Sequence, residues 1–167
     1  MTKYKDSVFQ YCSYCGSKII KTARSGFQCK NCLREFYLYS KPTISVIPMY
    51  KNEILLTRRG TEPWKGMLST IGGFLENGED PLRGAVREFK EETGISLVKN
   101  KLLLLGFVPS DYPYKGIRYS LLNILYIFPL TEKIYLSPKD DVMKLVWVSI
   151  QGKNNLPHDP TEFIDEV

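Results

Sequence analysis

Glu88, Glu91 and Glu92 hold the densest chemistry in the sequence, and their spacing brings them together. On a helix turning about 100° per residue, Glu92 falls about 40° from Glu88 and Glu91 about 60° to its other side, so three carboxylates share one arc. Like charges so placed repel by a few tenths of a kcal/mol per exposed i,i+4 pair, and by more when buried. A solvated acidic stripe tolerates that cost, and the glutamates alone favour such a stripe. Their neighbours argue otherwise. Gly72-Gly73 brings bare backbone up to the helix, Gly84 clears space along the acidic arc, and Arg87 is spaced to pair with Glu79 or Glu91. Hard oxygen donors beside a glycine loop suit Mg²⁺ or Mn²⁺, which keep waters and bridge to substrate phosphates.

A second constellation lies near the start of the chain. Cys12-Ser-Tyr-Cys15 and Cys29-Lys-Asn-Cys32 are two Cys-x-x-Cys knuckles separated by a hairpin-sized spacer. Each knuckle turns two thiolates toward one point, which suits a tetrahedral Zn²⁺. Disulfides are the rival reading, disfavoured in a cytosolic chain. A thioredoxin-like redox role is weaker still, because no βαβ pattern surrounds either pair. Four thiolates leave no open coordination position, so this zinc is structural. So short a segment buries little core and draws its folding free energy from the metal.

The elements that must position these groups follow from pattern. Asp80-Pro81 opens a helix and Gly94 closes it. Leu82, Ala85, Val86 and Phe89 form its core-facing stripe, and Arg83, Arg87 and Lys90 a third face. Strands are expected at Thr43–Ile47, Ile54–Thr57, Gly66–Ile71, Leu102–Val108, Ile117–Phe128 and Lys144–Val148, with a short helix at Thr161–Glu166. One helix embedded among strands predicts an α/β domain with a mixed sheet.

With 167 residues, 43% of them hydrophobic, the chain suffices for one well-packed domain and a small appendage. No apolar run reaches the ~18–20 residues of a membrane span. Residues 1–6 lack an apolar leader, so a cytoplasmic protein with no membrane role is expected. The net charge of +5 is uneven: through Lys41, eight basic residues oppose only Asp6 and Glu35. A zinc ion with four thiolates lowers that segment's +6 to about +4. Such a surface either attracts an anionic substrate or RNA, or is simply solvated.

From Gly73 to Ile95 the residues Gly-x5-Glu79-x7-Arg87-Glu88-Phe89-Lys90-Glu91-Glu92-Thr93-Gly94-Ile95 resemble the Nudix box, with Phe89 at a position usually aliphatic. Arg58-Arg59 and Trp64 also look Nudix-like. The cysteine segment is similar to the zinc ribbon of the NADH-pyrophosphatase branch and related bacterial Nudix hydrolases. The resemblance implies a zinc ribbon over residues 1–39 and a Nudix α/β/α sandwich over 40–167. It implies a divalent-metal-dependent pyrophosphohydrolase that cleaves a nucleoside diphosphate linked to another moiety, such as ADP-ribose, NADH or a similar dinucleotide or nucleotide sugar. Metal-activated water attacks one phosphorus in such enzymes. Carried onto this sequence, Glu88 and Glu92 are the primary ligands, Glu91 a further ligand or base, and the Gly72 carbonyl a backbone ligand. Glu79 and Arg87 form a structural ion pair. Which glutamate deprotonates the water stays open.

Three departures bear on the substrate. Ile71 replaces a common proline before the double glycine. Ser110-Asp111-Tyr112-Pro113-Tyr114 stands where the NADH branch carries a Ser-Gln-Pro-Trp type motif. Lys144 occupies the position three residues before Trp147 where several relatives place a glutamate, with Asp140 and Asp141 upstream. Tyr112 and Tyr114 are candidates to stack on a base, or else packing aromatics, and Arg58 or Arg59 to meet a phosphate. His158, in a proline-flanked tail, is not expected to act. Two alternatives stand beside the leading reading: an RNA-cap hydrolase, suggested by the basic ribbon, and a non-hydrolysing Nudix-fold nucleotide sensor. A homodimer is suggested by family analogy alone.

Overall fold

Asp80 and Gly94 bracket the single α-helix among the described residues, which are 10–23 and 25–151 of a computed structural model. Helix α1 runs Pro81–Thr93, with proline in the first turn, where a missing backbone donor costs nothing. The Asp80 carboxylate accepts from the Arg83 amide at 3.0 Å, and Gly94 closes the helix at φ 78°. Ala85 and Phe89 are fully buried, and Leu82 and Val86 pack beside them. Both ends and the core face agree with the sequence pattern. The helix expected at 161–166, and His158, lie outside the described residues.

Two compact units divide the chain. One holds the segment through Lys41 together with Asp111–Ser120; the other holds Pro42–Ser110 together with the chain from Leu121 onward. In the first, β1 (Ile19–Lys21), β2 (Gly26–Cys29) and β3 (Glu35–Tyr37) form an antiparallel sheet in that order. The larger sheet contains β4 (Lys41–Tyr50), β5 (Glu53–Arg59), β6 (Leu68–Ser69), β7 (Ile71–Phe74), β8 (Leu103–Tyr114), β9 (Ile117–Pro129) and β10 (Val142–Ser149). Its order is β10-β5-β4-β9-β8, with β6 on β5 and β7 on β4. The fold is α/β on a mixed sheet, as expected.

Alternation along β4 and β5 divides the core between the two sheet faces. Ile44, Val46 and Leu55 join the cluster under α1 with Ile71, Ala85 and Phe89. Ile47, Ile54, Leu56 and Leu68 form a separate cluster. The first face holds the helix at a fixed height above β7, which carries Gly72 and Gly73.

Two strand expectations need correction. The single strand expected at Gly66–Ile71 is two pieces, because the chain changes partner at Thr70: Ser69 pairs with Thr57 of β5, and Ile71 with Val46 of β4. Hydroxyls cover the crossing, since Thr57 Oγ1 donates to the Ser69 carbonyl at 3.1 Å and Thr70 Oγ1 to Ser45 Oγ at 2.7 Å. The strand expected to stop at Val108 continues to Tyr114, so Tyr112 and Tyr114 lie in β8 and not in a loop. Pro109 and Pro113 are tolerated there because β8 is an edge strand, where an absent N–H breaks no ladder.

Asp80→Ala removes the helix cap and is expected to cost about 1 kcal/mol in chemical denaturation. Lys99→Ala, which removes only the half-exposed Lys99–Asp80 pair at 3.0 Å, is expected to cost under about 0.5 kcal/mol. Equal losses in the two variants would show that the ion pair, not the cap, carries the effect.

Candidate active site and cysteine centre

Arg87 sits in the middle of α1 and binds in four directions. Its Nε and Nη2 donate to the two Glu79 oxygens at 2.9 and 2.8 Å, a bidentate pair. Nη2 also reaches the Phe74 carbonyl at 3.1 Å, and Nη1 donates to Glu88 Oε1 at 2.7 Å and to Glu91 Oε2 at 3.2 Å. One guanidinium thereby ties the 74–79 loop to the helix and takes up charge from three carboxylates. Those hydrogen bonds hold the Glu79 carboxyl down to about 2. Gly84 makes room for this loop: a Cβ there would sit 2.5 Å from Leu75 and 3.1 Å from Glu79 Oε2.

The three glutamates of the arc have unlike environments. The Glu91 side chain is 49% exposed and that of Glu88 13%, while Glu92 retains only 6% of its surface. Burial raises the Glu88 carboxyl, with Arg87 opposing. Glu92 Oε1 accepts from the Gly72 amide at 3.2 Å, whereas its Oε2 is buried without a hydrogen-bond partner. Burial pushes the Glu92 carboxyl well above the ordinary range; the Gly72 amide opposes this, the charges of Asp141 and Glu88 add to it, and Arg59 lowers it.

Glycine at 72 is a steric requirement, and glycine at 73 leaves room for the Glu88 carboxylate. Gly72 has φ 151°, and a Cβ there would collide with the Ile44 carbonyl. A Cβ on Gly73 would stand 2.7 Å from both Glu88 oxygens. Two carboxylates and bare backbone thus meet around an orphaned oxygen. Donors of this kind fit a hard divalent cation.

Residues at the end of β5 are occupied in holding their own loop. Arg58 Nη1 donates to the Gly66 carbonyl at 2.5 Å and Arg59 Nε to the Pro63 carbonyl at 2.8 Å. Asp141 is brought in by backbone: its carbonyl accepts from Gly60 at 2.7 Å and its Oδ2 from Thr61 Oγ1 at 3.1 Å. The Lys139 amide donates to the Glu92 carbonyl at 2.8 Å, so this segment also closes on the end of α1. Lys144 is exposed and opposite Arg58 in the β10–β5 register. Tyr112 and Tyr114 stack on each other with centroids 6.2 Å apart and belong to the unit that holds the cysteines. The buried bonds from Thr43 Oγ1 to Asn123 Oδ1 at 2.6 Å, and from Asn123 Nδ2 to Ser110 Oγ at 2.9 Å, had no sequence signal.

Cys12, Cys15, Cys29 and Cys32 are free thiols whose sulfurs all lie within 4.8 Å of one another. Cys12–Cys32 is 3.7 Å and Cys15–Cys29 3.5 Å. A tetrahedron with metal–sulfur arms of ~2.3 Å has edges of about 3.8 Å, so the set fits a tetrahedral ion. Amides of Asn31 and Cys32 approach Cys29 Sγ at 3.4 and 3.5 Å, forming the knuckle. Hydrogen bonds from Ser17 lower Cys15 to about 6, favouring the thiolate that a metal requires.

Known proteins resemble this chain in sequence and in fold. The family model described as NUDIX domain matches residues 40–165. An ADP-ribose pyrophosphatase of Methanocaldococcus jannaschii is 34% identical over 130 residues, covering 77% of this chain and 72% of that protein. The NAD-capped RNA hydrolase NudC of Haemophilus influenzae is 36% identical over 107 residues, 62% of this chain, which spans only 40% of that relative's length. The crystal structure of a NUDIX hydrolase from Nitrosomonas europaea shares the fold at TM-score 0.58 and 21% identity, covering 89% of this chain and 83% of that one.

The raised Glu92 carboxyl has a definite sign. Its contribution to stability is full below the ordinary glutamate value of 4.5 and is lost as pH rises through the raised folded value. Without added Mg²⁺ or Mn²⁺, Glu92→Gln is therefore expected to raise the melting temperature at pH 8 by at least ~2 °C, and by less at pH 5. A lower melting temperature for the variant at pH 8 contradicts this account of the buried carboxylate.

Proposed function

The chain belongs to the Nudix family and is a pyrophosphohydrolase, and on that premise we propose that it cleaves the diphosphate of ADP-ribose in a Mg²⁺- or Mn²⁺-dependent reaction. The observation that carries the reading is the buried, partnerless Oε2 of Glu92 beside Gly72 and Glu88. Glu88, Glu92 and the Gly72 carbonyl would hold the cation, with Glu91 as a further ligand or the base. When bound, the cation supplies an activated water and stabilises charge on the phosphate oxygens. Arg87 and Glu79 keep the loop and the helix in register, so that Glu88 and Glu92 need not reorganise as substrate arrives. Arg59 is the better phosphate candidate of the two arginines, because its charge already reaches Glu92.

We assign residues 1–39 to a structural zinc ribbon and 40–167 to the hydrolase domain. No described helix is long and apolar enough to cross a membrane. The NudC resemblance supports a second reading, in which the same diphosphate is presented at an NAD-terminated RNA end.

A panel of ADP-ribose, NADH, NAD-capped RNA and nucleoside triphosphates, with and without Mg²⁺ or Mn²⁺, tests these readings. ADP-ribose is expected to yield AMP and ribose 5-phosphate only with metal, and Glu88→Gln or Glu92→Gln to lower kcat/KM about 100-fold or more. Turnover without metal, or undiminished in Glu92→Gln, sinks the mechanism; tight ADP-ribose binding without hydrolysis points to a sensor. For the ribbon, native mass spectrometry is expected to show one zinc per chain, lost in Cys29→Ser. Full zinc retention in that variant overturns the four-thiolate assignment.

A further inference from the structure

The outer face of the three-stranded ribbon carries a row of residues that the hydrolytic chemistry does not use. Tyr11 pairs with Lys18 in an isolated antiparallel bridge. The β1–β2 register, Ile19 with Cys29 and Ile20 with Gln28, carried one residue further sets Lys18 opposite Lys30. The Lys30 amide donates to the Lys18 carbonyl at 3.1 Å, as that pairing requires. Directly opposed residues project to the same side of a sheet, so Tyr11, Lys18 and Lys30 share one face. All three are exposed. The next row on this face is Ile20, Gln28 and Glu35, and beyond it Tyr37 lies opposite Gly26. The other face turns inward with Cys29 and Phe27, both buried.

Two lysines directly opposite each other are unfavourable in a sheet. Among the described residues neither has an ion-pair partner. Glu35, the lone acidic residue in the described part of this segment, accepts from the Tyr37 hydroxyl at 2.7 Å. The ribbon stays positive even after the roughly −2 charge of a four-thiolate zinc site is counted. Tyr11 is 60% exposed and Tyr37 46%, at opposite corners of the face and about 20 Å apart by strand spacing and rise. Cations flanked by exposed aromatic rings on a sheet, Tyr37 with the Tyr39 ring 6.0 Å beside it, match an unpaired polynucleotide, whose phosphates need charge and whose bases need flat apolar partners.

We propose that this ribbon face, Tyr11–Lys18–Lys30 with Tyr37, is a docking surface for single-stranded nucleic acid. The lysines take consecutive phosphates, and the two rings stack on bases at either end. An acidic protein segment would satisfy the lysines but leave the rings without a role. The proposal does not rest on the pyrophosphatase reading, because binding is measured without divalent metal and without turnover.

The test is fluorescence anisotropy of labelled single-stranded 12-mer RNA and DNA on the full chain across a range of salt concentrations. Binding is expected to weaken with salt, and Lys18→Gln with Lys30→Gln to flatten the log–log salt slope by about 1.4, at 0.7 per phosphate contact. Tyr37→Ala is expected to bind roughly tenfold more weakly while Tyr37→Phe binds normally, because stacking needs the ring and not the hydroxyl. Zinc content and ADP-ribose turnover report the folding of each variant; should the double glutamine variant lose zinc, the single variants Lys18→Ala and Lys30→Ala replace it. No binding at low salt, binding unchanged in the lysine variants, equal affinity for duplex, or polyglutamate competing as well as RNA each overturns the proposal.

Discussion

Burying the Glu92 carboxylate without a partner for Oε2 is the constraint around which the catalytic unit is arranged. A buried polar atom left unsatisfied costs about 1–3 kcal/mol, and more when charged. The Gly72 amide answers one oxygen only. Glu88 stands close by because Gly73 lacks a side chain, and its charge adds to the problem. Arg87 takes up Glu88, Glu79 and Glu91 together, which leaves nothing from that guanidinium for Glu92. Protonation of Glu92 or an added cation would relieve this side of the helix, so the feature that weakens the metal-free fold is the one that supports the proposed metal site.

Keeping that arrangement open requires a scaffold that does not relax around it. Phe89 and Ala85, fully buried on the face of α1 that adjoins Glu92, fix the height and rotation of the helix over β7. The Ile44 carbonyl lies so close to Gly72 that no other residue fits, which sets the spacing between the sheet and the carboxylates. Leu75 fills the notch at Gly84, and the bidentate Arg87–Glu79 pair closes the loop over it. Helix cap, core and loop clamp all act on the same few ångströms of separation.

The helix and the two groups of candidate metal ligands were legible because their signals are local. Asp80, Pro81 and Gly94 define ends by their own backbone preferences, and the cysteine knuckles are four-residue units. The helical arc grouped Glu88, Glu91 and Glu92, and its angles set Glu92 nearest the Ala85–Phe89 stripe and Glu91 farthest. That is the order in which the structure buries them, but the angles do not give how deep each lies. Depth comes from β7 and from the Lys139–Asp141 segment closing on α1, contacts made far along the chain. The partner change at Thr70 and the Thr43–Asn123–Ser110 bonds were hidden for the same reason: hydroxyls at these positions read as ordinary strand residues until the strands are placed side by side. Arg58 and Arg59 read as two equivalent cations. The structure distinguishes them: Arg58 holds the Gly66 carbonyl and Arg59 the Pro63 carbonyl, and the Arg59 charge lowers the Glu92 carboxyl.

The chain carries two arrangements of like charge, and their magnitudes separate them. At Glu88 and Glu92 the repulsion adds to burial, the largest cause of the raised carboxyls, and protonation or a cation would relieve it. At Lys18 and Lys30 it acts across an exposed face, where water and salt reduce it to a fraction of a kcal/mol. The ribbon therefore stands without a ligand on that face, and any polyanion bound there must be held by stacking as much as by charge. The glutamate site is under strain until a proton or a cation relieves it. On the proposed readings, occupancy of the ribbon face follows ionic strength, and occupancy of the glutamate site the supply of divalent metal.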